Sequence, residues 1–383
     1  MFATERVGAT AGVGINAHLL AGEAGYRQAG IHHYIAQVLR HLPQAEAGLN
    51  WTIFTQQGDL LPQAGWRLVA SRWPTERRAV RIVWEQVVWP WLAWRYRLDL
   101  LHSMAFVTPL IAPCPTVVTV YDLSFMHYPD RFPAFQRWYL ASQTGRSCRQ
   151  ARRVITISES GRQDVHRFFG VALDKIDVVV PGVDEAYRPF SADTIAQFRQ
   201  QKGLPQRLLL HVGTLQPRKN IPVLIDALAQ LPDDVGLALV GGKGWLYDEI
   251  FARVEALGLQ DRVLFTGYVP FEELPLWYNA ASVFVFPSLY EGFGMPVLEA
   301  MACGTPVVAA NVSSIPEAVS EAGLLFAPDD VAELVERITA VLQSPSLADK
   351  MRADGLAWTQ NFSWGKAGRE TAVVYRQALG SNQ

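Results

Sequence analysis

The sequence predicts an α/β protein built of two Rossmann-like, doubly wound parallel-sheet domains, and three observations carry that expectation. Its 383 residues exceed one ordinary domain and suit two of roughly 150 to 200 residues each. Half of the residues are apolar and 18 % are charged, the balance of a folded chain with buried cores. In the carboxyl half, apolar runs of strand length alternate with helical patterns, which is how parallel strands joined by crossover helices read.

Taken in order, the amino half offers strands near 14–19, 51–54, 98–102, 116–120, 154–157 and 176–179, with Gly12, Val13 and Gly14 preceding the first. Pro181-Gly182 and the polar stretch that follows Pro189 read as a linker. This divides the chain into domains 1–188 and 207–383 around a linker region 189–206, with the final helix free to pack back on the first domain. The carboxyl half then alternates strand 208–212 with helix 221–231, 237–240 with 246–257, 263–265 with 272–279, 283–286 with 296–303, and 306–309 with 314–319. A strand at 324–326 and a helix from 331 close it. Pro296 suits a first helical turn and Gly304 a stop. Ligands of such sheets bind beyond the carboxyl ends of the strands, so the expected site is a cleft between two facing domains.

Residues 1–14 carry no long apolar run and do not read as a signal peptide, and no segment reaches the ~18 apolar residues of a membrane span. Cys114, Cys148 and Cys303 lack CxxC spacing, which fits a reducing cytoplasm and small buried hydrophobes better than a zinc site. The net charge of −2 hides an asymmetry: residues 1–190 hold 20 Lys and Arg against 15 Asp and Glu, and the remainder 14 against 21, or +5 and −7. A basic amino half suits an anionic acceptor or the inner face of a membrane, and equally suits plain charge scatter. No nucleic-acid partner is expected. Segment 77–97 sets Trp84, Trp89, Trp91 and Trp94 among five arginines. That mixture marks interfacial helices, yet Pro90 interrupts it and large aromatics fill cores, so core is the favoured reading.

Chemistry concentrates in the run from Glu291 to Glu299, two carboxylates eight residues apart. It follows a strand and opens a helix, so its backbone N–H groups face a ligand that Gly292 and Gly294 allow to come close. Acids flanking an anion site would repel a phosphate if aimed at it, and more reasonably accept hydrogen bonds from hydroxyls on either side. A sugar nucleotide has that layout. After strand 208–212 come Gly213, Thr214 and then Arg218-Lys219-Asn220. An Arg-Lys pair alone is usually a solvated face. At a strand's carboxyl end it reads as a diphosphate clamp, Arg218 gripping through its planar fork and Lys219 adding a point charge.

These residues make the chain resemble the family 4 retaining glycosyltransferases of GT-B fold: Glu291 and Glu299 match the E-x7-E motif, and Gly213-Thr214 with Arg218, Lys219 and Asn220 match the phosphate clamp. Gly241-Gly242-Lys243-Gly244, Gly267-Tyr268-Val269 and Thr305-Pro306 with Ser314-Ile315-Pro316-Glu317 extend the match over nearly the whole chain, more weakly in the amino half, and the resemblance implies that domain 1–188 binds the acceptor and domain 207–383 the nucleotide sugar. The resemblance implies that Glu291 holds donor-sugar hydroxyls, Glu299 the ribose hydroxyls, and Arg218 and Lys219 the diphosphate. It implies that the backbone of Gly292, Phe293, Gly294 and Met295 meets the sugar and its phosphate, and that the loop at Tyr268 and Val269 meets the base. Gly213, Thr214, Asn220 and Gly241 complete the donor side. Gly30, after Tyr26-Arg27-Gln28-Ala29, stands where the family has a glycine facing the donor phosphate, and also suits a plain loop-to-helix turn.

Tyr121 stands in place of the family's histidine, which leaves Asp122 as the better polar candidate there. His102 ends a strand and is either cleft-facing or a satisfied structural histidine. Ser158 is more simply a helix cap than a ligand. The implied reaction moves a hexose from a nucleoside diphosphate to an acceptor hydroxyl, retaining configuration, with no metal or cofactor. No Asp-x-Asp triplet is present. GDP-mannose is the leading donor and UDP-glucose the second, with a glycan or lipid-linked acceptor in polysaccharide or glycolipid synthesis. A nicotinamide oxidoreductase is disfavoured because no GxGxxG turn follows the first strand. A non-catalytic homologue would have no need of Glu291, Glu299, Arg218 and Lys219 together.

Overall fold

Apolar runs that need cover on both faces form parallel strands here, in two sheets. The computed structural model describes residues 10–20, 30–42, 48–56, 66–71, 73–75, 77–129, 133–244 and 247–380, so residues 26–29 and Trp245 lie outside the described residues. The chain divides into one unit of Met1–Gly182 with Trp364–Gln383 and a second of Val183–Ser363.

In the first unit, β1 (Ala11–Asn16), β2 (Leu49–Thr55), β3 (Trp66–Ala70), β4 (Leu100–Ser103), β5 (Thr116–Val120), β6 (Arg153–Thr156) and β7 (Ile176–Val178) form one sheet in the order β3-β2-β1-β4-β5-β6-β7. Strand β1 starts at Ala11, so Gly12, Val13 and Gly14 lie inside the strand and not before it. The reason is packing: a Cβ on Gly14 would come within 2.9 Å of Leu101 and still closer to Leu98. Edge strand β3 is half exposed and lacks the apolar run that betrays its neighbours. The helix Trp364–Leu379 belongs to this unit, and Gly368 lets it lie against the backbone of His41 where any side chain would collide.

Pro90 has no N–H to give Gln86 in an α-helix, and the chain answers with a π-helical turn, Trp84–Val88, between helices Arg78–Val83 and Trp89–Arg95. The core reading of this segment holds for Trp84 and Trp89, both buried, and fails for Trp91 and Trp94, which are 56 % and 67 % exposed. The helix buries one stripe and shows the other to solvent.

In the second unit, β8 (Arg207–Val212), β9 (Val235–Val240), β10 (Val263–Gly267), β11 (Val283–Phe286), β12 (Val307–Ala310) and β13 (Leu324–Phe326) run in the order β10-β9-β8-β11-β12-β13. The stretch 189–206, expected as linker, carries a helix, Ala192–Lys202, capped by Ser191 and Gly203. Phe198 packs edge-on against Trp277 at 5.3 Å, which ties this helix to the second unit. In each sheet the strand order reverses beside the unit's first strand, between β1 and β4 and between β8 and β11. The crevice at the carboxyl ends of those strands is where doubly wound sheets bind ligands.

Candidate active site

The loops leaving β8 and β11 meet at the second unit's reversal point. Beyond β8, Gly213 donates to Val240 O at 2.8 Å and Leu215 to Gly242 O at 3.0 Å, so the turn at 213–216 is laced to the turn at 241–244. A Cβ on Gly241 would strike the Gly213 carbonyl, which gives this glycine a packing role of its own. Thr214 lies in the laced turn, partly exposed. A short 3-10 turn, Pro217–Lys219, then presents the two cations, and Asn220, at φ 52°, bonds Pro328 O through its side chain at 2.7 Å and starts the helix Ile221–Leu228.

Both cations converge on Glu291. Arg218 Nη1 donates to Oε2 and Lys219 Nζ to Oε1, each at 2.7 Å. Lys219 is 7 % exposed and its ammonium sits 5.1 Å from the centre of the Phe286 ring. Burial pushes the Glu291 carboxyl up, but the Arg218 and Lys219 charges and their hydrogen bonds outweigh it and hold the group down at about 2. This acid was expected to accept hydrogen bonds from hydroxyls beside an anion site, and the structure adds that Arg218 and Lys219 balance its charge. Each oxygen keeps a second lone pair for a hydroxyl. The Glu291 backbone is pinned as well, its N–H donating to Ser313 Oγ at 3.0 Å and its carbonyl accepting from Ser314 Oγ at 2.9 Å.

The next helix, Met295–Ala302, starts from Gly294 at φ 115°, in the left-handed region that favours glycine. Gly292 and Met295 are partly exposed beside it, whereas the Phe293 ring is buried against Phe362. Glu299 is partly buried and accepts a 2.7 Å hydrogen bond from the Tyr278 hydroxyl, so it is no exposed helix acid. Burial is the chief reason that its carboxyl rises to about 7, against the hydrogen bonds from Tyr278 and Tyr187. Two glutamates of one motif are thus shifted in opposite directions. Tyr268 is exposed and Val269 buried beyond the β10 bulge at Gly267.

The first-unit candidates are placed less uniformly. His102 has both ring nitrogens engaged, by Tyr375 at 2.6 Å and Thr119 at 2.8 Å, and burial lowers it to about 3. Tyr121 donates to Met104 O at 2.6 Å inside the core. Asp122 accepts the Ser124 N–H at 2.9 Å ahead of the turn Ser124–His127, and Ser158 caps the helix Glu159–Phe169 through the Gly161 N–H at 3.0 Å. These bonds spend His102, Tyr121 and Ser158 on structure. Gly30 is exposed at φ 70° and starts the helix Ile31–His41, with nothing near the place of a Cβ. Sequence reasoning missed Tyr278, Tyr187 and Ser313, which orient the two glutamates. Their signal is weak: Tyr278, within the apolar helix Leu274–Ala280, reads as core, and Tyr187 and Ser313 lie in irregular segments that carry no motif.

Residues 194–358 match the family model described as glycosyl transferases group 1, and residues 29–187 match that of glycosyltransferase family 4. The O-antigen chain mannosyltransferase B of Escherichia coli is 36 % identical over 265 residues, 68 % of this chain and 70 % of that protein. The serotype-specific mannosyltransferase WbdA of Escherichia coli is 29 % identical over 297 residues, 74 % of this chain but only 36 % of that longer protein. Among solved structures, Anabaena Alr3699/HepE in complex with UDP aligns with a TM-score of 0.76 at 21 % identity, over 96 % of this chain and 100 % of that one.

Proposed function

This chain belongs to the family 4 glycosyltransferases, with the GT-B fold, and on that premise we propose that it moves mannose from GDP-mannose to a hydroxyl of a growing polysaccharide or glycolipid, with retention and without metal. The observation that carries this reading is the convergence of Arg218 and Lys219 on Glu291, in the turn that leads into helix Met295–Ala302 at the sheet's reversal point. As the bond from the anomeric carbon to the diphosphate breaks, charge grows on the leaving group, and prepositioned cations and N–H groups stabilise it. The acceptor oxygen bonds to the same face of that carbon and gives its proton to the departing phosphate. The mannosyltransferase relatives favour mannose, and the UDP bound by the Anabaena protein makes UDP-glucose the donor to test against it.

Calorimetric titration of metal-free protein with GDP-mannose, UDP-glucose and their nucleoside diphosphates decides the donor. Micromolar binding of the guanosine series alone is the expected result, and binding of neither series would favour a non-catalytic homologue. With a competent acceptor, proton NMR of the product is expected to show the donor's anomeric configuration, and chelator is expected to leave the rate unchanged.

No helix among the described residues is long and apolar enough to cross a membrane. A peripheral contact has physical support in the first unit, where Val83, Val87, Trp91 and Trp94 form an exposed stripe flanked by the exposed Arg77, Arg95 and Arg97. Changing Trp91 and Trp94 together to serine is expected to weaken binding to vesicles containing phosphatidylglycerol by at least about tenfold in a sedimentation assay. Unchanged binding would discard this face.

A further inference from the structure

The second sheet buries a histidine that the transfer chemistry above does not use. His211 is 0 % exposed in β8, between Leu210 and Val212, where an apolar side chain would be the cheaper occupant. Its ring stacks on Phe286 of β11, with centroids 6.1 Å apart. Its Nδ1 lies 3.1 Å from the Val285 carbonyl oxygen, which can only accept, so Nδ1 carries the proton. Burial, then the Lys219 charge, lowers the ring to about 4, so it is neutral at physiological pH and Nε2 holds a lone pair. His102, the satisfied core histidine of the first unit, has both nitrogens engaged. His211 Nε2 is buried without a hydrogen-bond partner, which costs free energy unless a donor turns to it.

That donor is close by. A Cβ on Gly213 would lie 3.4 Å from His211 Nε2, 3.2 Å from Lys219 Cε and 3.5 Å from Lys219 Nζ, so the imidazole nitrogen and the ammonium border one point. Lys219 donates to Glu291 Oε1 at 2.7 Å, and its ammonium lies 5.1 Å from the centre of the same Phe286 ring on which His211 stacks. An ammonium carries three N–H donors and no lone pair. Those three are enough for Glu291, a diphosphate oxygen and His211 Nε2 together.

We propose that His211 is a positioning residue for the transfer: its Nε2 accepts a hydrogen bond from Lys219 Nζ and holds that ammonium ready for the leaving diphosphate. Carboxylate and imidazole then fix two of the three N–H directions and leave the third for the phosphate oxygen. A neutral acceptor suits the task, because a second anion beside Glu291 would offset the positive charge that the leaving group needs. His211 acts through Lys219 alone, being wholly buried itself. The role rests on the glycosyl-transfer reading above.

The test uses the whole chain, with GDP-mannose as donor and α-mannobiose as the acceptor probe. His211→Phe keeps a ring on Phe286 and removes the lone pair, and its melting temperature checks folding. The expected result is a fall in kcat of about tenfold. In the Lys219→Met background the same substitution should change kcat by less than about twofold, which a structural loss spreading to Arg218 and Glu291 would not allow. Wild-type kcat in folded His211→Phe, or a further loss of about tenfold in the Lys219→Met background, would overturn the role. Nitrogen-15 NMR of the His211 ring needs neither activity nor a folded Phe variant. Lys219→Met is expected to move the Nε2 resonance while Nδ1 stays protonated on Val285, and an unmoved Nε2 would overturn the hydrogen bond. Failure of the wild type to bind any nucleoside diphosphate would instead strike the transferase reading, and the NMR arm would still decide whether His211 holds Lys219.

Discussion

Replacing Lys219 with methionine is expected to lower kcat by about 10²- to 10³-fold, the loss typical of removing one prepositioned charge from a developing anion. The side chain is buried and already in place, so no reorganisation is needed when the diphosphate begins to leave. The substitution also strips Glu291 of one of its two cations, and its carboxyl should climb from about 2. The double change Lys219→Met with Glu291→Gln should therefore cost less than the two single losses combined, with a coupling on the order of 0.5–3 kcal/mol. Steady-state transfer rates for the four proteins check both statements. A kcat for Lys219→Met within about threefold of wild type would remove Lys219 from the leaving-group role.

Glu299→Gln is expected to weaken GDP-mannose binding by about 10- to 100-fold at pH 8, the range for hydrogen bonds to a charged acceptor. The ribose hydroxyls call for the ionised form, yet burial holds this carboxyl near 7. Wild-type affinity should consequently fall by up to about tenfold per unit as the pH drops below 7, and the Gln variant should lose that slope. A sugar nucleotide suits the experiment because its diphosphate does not titrate there. Calorimetry across about pH 5.5 to 8 is the measurement, and a flat wild-type profile would refute the ribose role.

Stability should follow the opposite signs of the two acids. The folded chain keeps a proton on Glu299 where the unfolded chain, at about 4.5, has lost it, so this contribution is complete below 4.5 and is lost as pH rises through about 7. Glu291 contributes above about 4.5, and that contribution is lost as pH falls towards 2.

Much of the second unit was legible because its signals are local. The apolar runs became β8 to β13, and the strand-turn-helix around Gly294 was foreseen from Gly292, Gly294 and Pro296. The Arg218–Glu291 pair was not, because its partners are 73 residues apart. In the first unit the same distance problem hid more. Tyr375, 273 residues beyond His102, spends one nitrogen of a histidine that sequence alone left open. The helix inside 189–206 was hidden by polar composition, and only Phe198 reaching Trp277 shows why it forms part of a core.

What the sequence determined by itself is therefore the class of fold, the turn chemistry and the identity of the charged groups, since periodicity, glycine freedom and helix ends act over a few neighbouring residues. The tertiary structure alone decided which charge meets which and in which direction each acid is shifted. Those outcomes depend on burial and on partners that only folding brings within hydrogen-bond reach, and so Glu291 and Glu299, eight residues apart in one motif, sit at about 2 and about 7.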